Sequence, residues 1–221
     1  MTVEELKKTL PISPVFKIEF TKETVDYTKS KLGGYYYWTD EKGPEGFQFL
    51  AQINFAELPE NDIFPKTGLL QFFCKDDDSY GLFDEDSNSH LVIYHKDITK
   101  GYKVRKDFEY SPIEKEDLGM KFELTEEYLS NSDYRFDTDI ELTDEMYEAF
   151  DGSGCKLLGY PTFTQFDPRE EGSPYDTLLF QLDTVDDIMM WGDCGVANFF
   201  INSKNLKKLD FSDVLYNWDC C

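Results

Sequence analysis

One acidic loop contains the residue types that bind calcium. Asp84, Asp86 and Asn88 stand at alternate positions, as the oxygen ligands do in the loop of an EF-hand. Ser89 stands where that loop requires a glycine, and His95 where it requires a bidentate glutamate. The spacing therefore excludes an EF-hand and leaves a solvated loop or a looser cation site. We assign no metal and no cofactor to the chain.

The two histidines of the chain do not form a metal or catalytic motif. His90 and His95 are an odd number of positions apart, so in a strand they point to opposite faces and cannot share one metal. No Gly-x-Ser-x-Gly elbow and no phosphate-binding glycine motif occurs, and Ser153, between two glycines, is typical of a turn. We assign no catalytic residue, and the sequence leaves open whether the protein is an enzyme.

Trp191 and Asp193 lie just before Gly195, in a pattern that permits two interpretations. A tryptophan beside a turn can expose a large apolar face, and an aspartate there can bind a cation. An aspartate followed two residues later by glycine is also ordinary turn chemistry. We therefore name Trp191 and Asp193 as candidate binding residues, with turn capping as the alternative role of Asp193.

The charge of the chain limits its partners. The 22 lysines and arginines against 45 aspartates and glutamates give a formal net charge of −23. Such a chain repels phosphate backbones and anionic lipids, so we predict neither a nucleic acid nor a membrane partner. A basic protein surface is attracted instead, although the charge also serves simply to keep a protein in solution.

The sequence also predicts a cytoplasmic location. Residues 1–10 have no apolar core of the length that a signal peptide needs, and the apolar runs are only as long as strands. The five cysteines are odd in number and form no Cys-x-x-Cys pair, which favours reduced thiols over a disulfide framework.

Alternation of apolar and polar residues predicts strands over segments 16–20 and 47–55, and short apolar runs predict strands over segments 68–74 and 90–95. In the second of them we predict that one face carries Phe47, Phe49, Ala51, Ile53 and Phe55.

Two helices are predicted from their caps. Thr2 and Glu5 have the spacing of a capping box, and Thr143 precedes acidic residues at the start of an apolar stripe. The second helix lies in segment 107–151, which has 16 acidic residues against three basic ones. We interpret segment 107–151 as a solvated insert.

Three blocks of the first half recur in the second half in the same order. The pairs are Lys31–Tyr35 with Lys156–Tyr160, Phe49–Asn54 with Leu178–Asp183, and Gly68–Phe73 with Gly195–Phe200. We predict one domain over residues 1–221, with halves at about 12–106 and 152–221 joined by segment 107–151. The predicted fold class is mainly β, an antiparallel roll or packed sheets from two degenerate repeats, with short helices.

The repeat places four polar residues at corresponding strand positions. Gln52 and Asn54 correspond to Gln181 and Asp183, on the face opposite the main apolar stripe. They are candidates for lining a cleft between the halves. The alternative is that they bond to backbone groups at strand ends.

The chain resembles the YwqG-like family of bacterial proteins of unknown function. The resemblance rests on Lys31–Tyr35, Phe49–Ile53, Gly68–Phe73, Leu158–Pro161, Leu178–Leu182 and, most specifically, Trp191-Gly-Asp-Cys-Gly195 leading into Phe199-Phe200. It implies a mainly β, roll-like fold, a cytoplasmic bacterial setting and no established activity. Relatives of this kind often lie beside toxin and immunity genes.

Two functional hypotheses follow. The first is an acidic, immunity-like interaction protein that binds a basic protein partner. The second is a small-molecule or cation-binding protein, or an enzyme, with a cleft between the two repeats. The sequence does not fix the oligomeric state.

Overall fold

The computed structural model of the chain describes residues 2–82, 89–136 and 139–221. Strands account for 36% of the residues and helices for 9%, which confirms the mainly β fold class. The strands form one nearly closed, barrel-like antiparallel sheet and a small second sheet, with three short helices beside them. None of the helices in the described residues is long and apolar enough to cross a membrane.

The elements follow one another along the chain in a simple order. The strands are β1 (Ile12–Thr24), β2 (Lys31–Leu32), β3 (Tyr36–Trp38), β4 (Phe47–Asn54), β5 (Leu69–Lys75), β6 (His90–His95), β7 (Tyr102–Val104), β8 (Leu118–Tyr128), β9 (Lys156–Leu158), β10 (Thr177–Asp183), β11 (Val196–Ile201) and β12 (Val214–Asp219). The helices are α1 (Val3–Lys7), α2 (Asp144–Ala149) and α3 (Ser203–Leu206), and a 3₁₀ turn follows β4 at Phe55–Glu57.

The large sheet is arranged evenly about its two central strands. Its order is β12-β11-β10-β9-β1-β8-β2-β4-β5-β6, and every neighbouring pair is antiparallel. Four strands therefore lie on each side of the pair β1 and β8. The two edges of the sheet are β6 and β12.

The predicted strand near residue 16 is the long central strand β1. It pairs with β8 from Ile12 opposite Tyr128 through Phe20 opposite Met120. Phe16 is fully buried in the main core, and Ile18 and Phe20 pack against that core. This alternation confirms the period-two interpretation.

The interpretation of segment 107–151 as a solvated insert is wrong. Residues 118–128 of this segment form β8, one of the two central strands of the sheet, and the first three of them are buried. Lys121 and Glu123 of the same strand are exposed, on the face opposite Met120 and Phe122, which pack at the main core. Because one strand can carry a buried face and a charged face, a high acid content did not exclude a central strand.

Strand β4 does not keep one apolar face along its length. A β-bulge between Phe49 and Ala51 shifts the register with β5. Phe49 therefore packs in one cluster, whereas Ala51 and Ile53 pack in the main core. A bulge reverses the faces of the residues beyond it, so the predicted common face for Phe47, Phe49, Ala51, Ile53 and Phe55 is wrong.

The main core lies inside the barrel and joins the two sides of the sheet. Phe72 of β5 packs against Phe180 of β10, with 4.3 Å between ring centroids, and against Phe199 of β11 at 5.1 Å. All three side chains are fully buried. Neither side of the sheet buries this aromatic surface alone, so the two sides share one hydrophobic core.

The small sheet covers the outer face of β4 and β5. In it β3 pairs with β7. The ring of Tyr36 stacks on Phe49 at 4.6 Å and meets Phe73 edge-on at 5.5 Å. This small aromatic cluster explains why β4 and β5 are buried on both faces.

Both predicted helix caps are present. The hydroxyl oxygen of Thr2 accepts the N–H of Glu5, whose carboxylate accepts the N–H of Thr2. Thr143 accepts the N–H of Met146 at the start of α2. Leu6 of α1 and Met146 pack in a separate hydrophobic cluster, which fixes these helices beside the barrel.

Candidate functional site: a groove between two sheet edges

Gln52 is fully buried in β4, where its side-chain amide bonds to the backbone of the preceding loop. Its Nε2 donates to the carbonyl oxygens of Tyr27 and Lys29, both at 2.7 Å. Its Oε1 accepts the N–H of Tyr37 at 3.3 Å and Nε2–H of Gln71 at 3.0 Å. All four hydrogen-bonding positions of the amide are thus in use. We call this arrangement the first glutamine clamp.

Gln181 of β10 forms a second glutamine clamp. Its Nε2 donates to the carbonyl oxygens of Gly152 and Gly154, both at 2.8 Å, and its Oε1 accepts the N–H of Thr162 at 2.9 Å. Four strands separate β10 from β4 in the sheet. The two glutamines therefore do not meet in a shared cleft. The side-chain amide of each bonds to backbone groups on its own side of the sheet.

Asn54 and Asp183 also serve backbone groups at strand ends. Asn54 Oδ1 accepts the N–H of Ala56 in the 3₁₀ turn, and its Nδ2 donates to the carbonyl oxygen of Thr28. Asp183 accepts the N–H of Gly154 at 2.6 Å. Burial raises the pKa of the Asp183 carboxyl. Both residues hold the loops that precede the short strands β2 and β9.

Trp191 and Asp193 occupy different environments. Trp191 is fully buried, with its ring 5.6 Å from Tyr80 and 6.0 Å from Trp218. Its Nε1–H has no hydrogen-bond partner among the described residues. Asp193 is exposed. Trp191 therefore contributes to the core and does not present the exposed apolar face considered from the sequence.

Two buried lysines beside the clamps were not singled out from the sequence. Lys31 of β2 forms an ion pair with Asp117, and Lys156 of β9 forms one with Glu127 at 2.9 Å. Burial lowers the pKa of both ammonium groups. Each lysine begins a block of the predicted repeat, which is the signal that could have identified them. The carboxylates of Asp117 and Glu127 neutralise the two ammonium groups, so both ion pairs have a structural role.

Two arginines and two aspartates of the loops beside β11 form one network of ion pairs. Arg169 Nη2 donates to Asp133 at 3.0 Å and to Asp167 at 2.7 Å, and Arg135 also bonds to Asp133. The Arg169 guanidinium lies 4.0 Å from the ring centroid of Phe200. The two cations and two anions compensate one another, so the network is suited to structure rather than to chemistry.

The two histidines point to opposite faces of β6, as predicted. His95 Nε2 bonds to Gln71 Oε1 at 2.8 Å beneath the small sheet, whereas His90 packs on Phe199 and Tyr216 inside the barrel. Burial lowers the pKa of each imidazole to about 4. The described residues hold no group of three or more metal-binding side chains. Asp84, Asp86 and Asn88 lie outside the described residues.

The strongest candidate site is a groove between the two edges of the large sheet. It has a volume of about 590 Å³ and runs between β6 and β12, so it marks the place where the barrel does not close. Its lining is mostly apolar or aromatic. The side chains include Leu91, Val92, Ile93, Phe211, Leu215 and Tyr216. We call it the edge groove.

The backbone of β6 presents unpaired groups to the edge groove. The carbonyl oxygen of Ser89 accepts the N–H of Lys75, so Ser89 faces β5. Because the peptide groups of alternate residues point to opposite sides of a strand, His90, Val92 and Tyr94 face the groove. Among the described residues, the N–H and C=O groups at these three positions have no main-chain partner.

The backbone of β12 faces the groove from the other side. The carbonyl oxygen of Val214 accepts Nε2–H of His90 at 2.9 Å, so Val214 and, two residues on, Tyr216 face the groove. Because a carbonyl oxygen only accepts, His90 is the tautomer with its proton on Nε2, and its Nδ1 accepts from Ser89 Oγ. In the part of the chain that the structure describes, the side chain of His90 bridges the two edges here and no backbone pair does.

The charge in the edge groove is acidic. Asp213 is the one charged side chain at pH 7 among the described lining residues, because the low pKa keeps His90 neutral. Asp213 is exposed and accepts a hydrogen bond from the Tyr175 hydroxyl at 2.7 Å. The groove therefore offers backbone donors and acceptors, apolar surface and one anion.

Residues 30–220 match the family described as Domain of unknown function (DUF1963). The chain belongs to the DUF1963 family. The matched part contains Gln52, Gln181 and both edges of the groove, whereas β1 and the Tyr27 and Lys29 carbonyl groups of the first clamp lie before it. No curated protein matches the chain.

Proposed function

We propose that this DUF1963 protein is a non-enzymatic interaction protein that binds a basic protein partner at the edge groove. The observation that carries the proposal is that two open sheet edges face one groove whose charged lining residue is Asp213. Open edges bind polypeptide readily because their N–H and C=O groups lack partners.

The net charge of −23 supports a basic partner. A field of this sign attracts cationic surfaces and accelerates their association, and it repels acidic ones. The apolar lining adds surface that a partner buries on binding. Charge then selects the partner, and the groove holds it.

The finer assignments are part of the same proposal. We propose a YwqG-like, bacterial and cytoplasmic protein with an immunity-like role, in which the basic partner is a toxin or another intracellular protein. We also propose that residues 1–221 form one domain built from two repeats, at about 12–106 and 152–221. The two glutamine clamps support the repeat, because their backbone partners differ by a constant offset of 125 residues.

A second candidate function uses the same groove. Its volume of about 590 Å³ is within the usual range for small-molecule sites, and it lies between the two proposed repeats. A small-molecule or cation-binding protein, or an enzyme, is therefore the alternative. Its occupant would bind between β6 and β12 and not at Gln52 or Gln181.

A display library of random peptides, selected against the purified protein near physiological salt, tests the proposal. We expect basic sequences to be enriched and their affinity to fall as salt is raised. Asp213→Asn keeps an acceptor for Tyr175 and removes the charge, so it should weaken the binding of the basic peptides about 2- to 5-fold. The matched control Glu148→Gln, an exposed change on α2, should leave the affinity unchanged.

Two outcomes would overturn the proposal. Enrichment of neutral or acidic peptides contradicts a basic partner. Equal weakening by Asp213→Asn and Glu148→Gln means that the protein attracts cations without using the groove. A thermal shift with a metabolite or divalent ion, in the absence of peptide enrichment, favours the second candidate function.

A further inference from the structure

We infer that the partner enters the edge groove as one extended strand that hydrogen-bonds to both sheet edges and completes the barrel. This inference rests on the proposed function and adds how the partner binds. It follows from the pattern of unpaired backbone groups, which side-chain charge alone does not explain.

The two edges present matching rows of backbone groups. His90, Val92 and Tyr94 face the groove from β6, and Val214 and Tyr216 face it from β12. A strand placed between them points its alternate N–H and C=O groups at one edge and then at the other. Such a strand satisfies both rows at once, which binding along a single open edge cannot do.

The directions of the strands fix how the new strand is paired. Nine successive antiparallel pairings separate β12 from β6, so these edges run in opposite directions. One inserted strand is therefore antiparallel to one edge and parallel to the other. The rings of Tyr94 and Phe211, 5.6 Å apart, lie beneath one end of the space that the strand would fill.

The surroundings of the groove define the sequence that fits. On its inner side an inserted strand meets His90, Val92 and Tyr216, which favours apolar side chains at alternate positions. On its outer side it meets Leu91, Ile93 and Leu215 beside the exposed Asp213, which favours lysine or arginine at the other positions, because their apolar stems pack on aliphatic surface while the charge lies near the aspartate. The predicted partner segment alternates apolar and basic residues.

The inserted strand must also release one existing contact. The Val214 carbonyl oxygen is occupied by His90 Nε2–H, and a backbone N–H of the new strand would replace that donor. His90 thus satisfies the Val214 carbonyl group, whereas the groove-facing groups of β6 stay open. The exchange keeps the Val214 carbonyl paired and frees Nε2–H of His90, which then requires an acceptor on the inserted strand.

Three synthetic peptides of about eight residues test whether binding requires an alternating strand or only positive charge. The first alternates lysine and valine, the second has the same composition in two blocks, and the third alternates threonine and valine. We expect the first to bind most tightly and to slow amide exchange at Val92, Tyr94 and Tyr216 at least about 10-fold. The block peptide should leave these amides unchanged.

A backbone variant tests the hydrogen bonds directly. Val92→Pro removes a groove-facing N–H that takes no part in the pairing with β5, a position where an edge strand tolerates proline. It should weaken the alternating lysine peptide about 3- to 10-fold, the loss expected for one or two hydrogen bonds. Val92→Ala keeps the N–H and should change the affinity less than 3-fold.

The outcomes distinguish the two proposals. If both lysine peptides bind equally and no groove amide is protected, strand insertion is wrong while a basic partner survives. If the threonine peptide binds as tightly as the alternating lysine peptide and protects the same amides, strand insertion holds and the basic partner is wrong. Equal affinities for Val92→Pro and Val92→Ala also overturn strand insertion.

Discussion

The two glutamine clamps make the same backbone hydrogen bonds in different surroundings. In each clamp the amide nitrogen bonds to two carbonyl groups before a short strand, and the amide oxygen accepts one N–H after it. A buried lysine with a carboxylate partner lies in that same short strand, Lys31 in one case and Lys156 in the other. We call each clamp, together with the short strand that carries the buried lysine, a region. The two regions share these hydrogen bonds to the backbone.

The side chains around the clamps differ. In the first clamp Gln71 bonds to Gln52 and to His95. At the corresponding positions of the second clamp stand Asn198 and Asp219, and Asp219 accepts backbone N–H groups of the covering loop instead. The first region is covered by the small sheet, whereas loops cover the second. The outer layer therefore changes while the clamp stays the same.

In both regions, polar strand residues that the sequence offers as candidates for lining a cleft bond to the backbone instead. A buried glutamine or lysine attracts attention as a candidate site residue because its burial is costly. In both regions that cost is offset by complete hydrogen bonding to backbone or by an ion pair. The edge groove differs because its backbone groups remain open.

Removal of the carboxylate partners of Lys31 and Lys156 should destabilise the protein more than any other change in the two regions. Asp117→Ala leaves Lys31 buried without its anion, and Glu127→Ala does the same to Lys156. We expect each to lower the free energy of unfolding by about 3 to 5 kcal/mol, as for other buried pairs that lose one partner. Urea unfolding at pH 7 measures the loss.

The control replaces the whole pair. A double variant with Lys156→Met and Glu127→Ala removes the unpaired charge and should recover a large part of the stability lost in Glu127→Ala alone. If the losses in the free energy of unfolding for Asp117→Ala and Glu127→Ala differ by more than about 2 kcal/mol, the two regions contribute unequally to stability.

Removal of the glutamines should have the next largest effect. Gln52→Ala and Gln181→Ala each leave three backbone groups without partners, so we expect a loss of about 2 to 3 kcal/mol from each. Gln52→Ala should cost slightly more, because Gln71 also loses a partner. Gln165 is an exposed glutamine whose Nε2 donates to the carbonyl oxygen of Cys220 at 2.7 Å. Gln165→Ala removes that single exposed bond, should cost less than about 1 kcal/mol and serves as the control in the same unfolding experiment. A small loss in either clamp variant would contradict a structural role for that clamp.

Local patterns in the sequence were enough to predict several elements. Helix N-caps act over a few residues, so Thr2, in a capping box, and Thr143 identified the starts of α1 and α2. The alternation of side chains identified β1 and β4 as strands, because it depends only on neighbours along one strand, and short apolar runs identified β5 and β6. The mainly β class followed from these segments together.

The remaining features depend on contacts between distant parts of the chain. The partner of Lys31 is Asp117, 86 residues away, so no local pattern pairs them. The bulge at Phe49 depends on the register with β5, and the central place of β8 depends on its pairing with β1. The edge groove depends on which strands end the sheet, and alternation says nothing about edges.

The smallest expected effect distinguishes the two regions by pH. Burial lowers the pKa of His95 to about 4, and both histidines lie in the first half of the chain. Between pH 6.5 and 4 the unfolded chain binds a proton at this site that the folded protein does not. The stabilising contribution is therefore complete above pH 6.5 and is lost as the pH falls towards 4, by about 2 kcal/mol.

His95→Gln isolates this contribution, because glutamine keeps a donor for Gln71 and does not titrate. The stability of the wild-type protein relative to the variant should fall by about 2 kcal/mol between pH 7 and about pH 4.5, whereas other titrating groups cancel in the difference. Lys96→Gln, at an exposed neighbour, should give a difference that does not change with pH. A constant difference for His95→Gln would mean that His95 titrates alike in both states, and that the two regions differ in their side chains without differing in their response to acid.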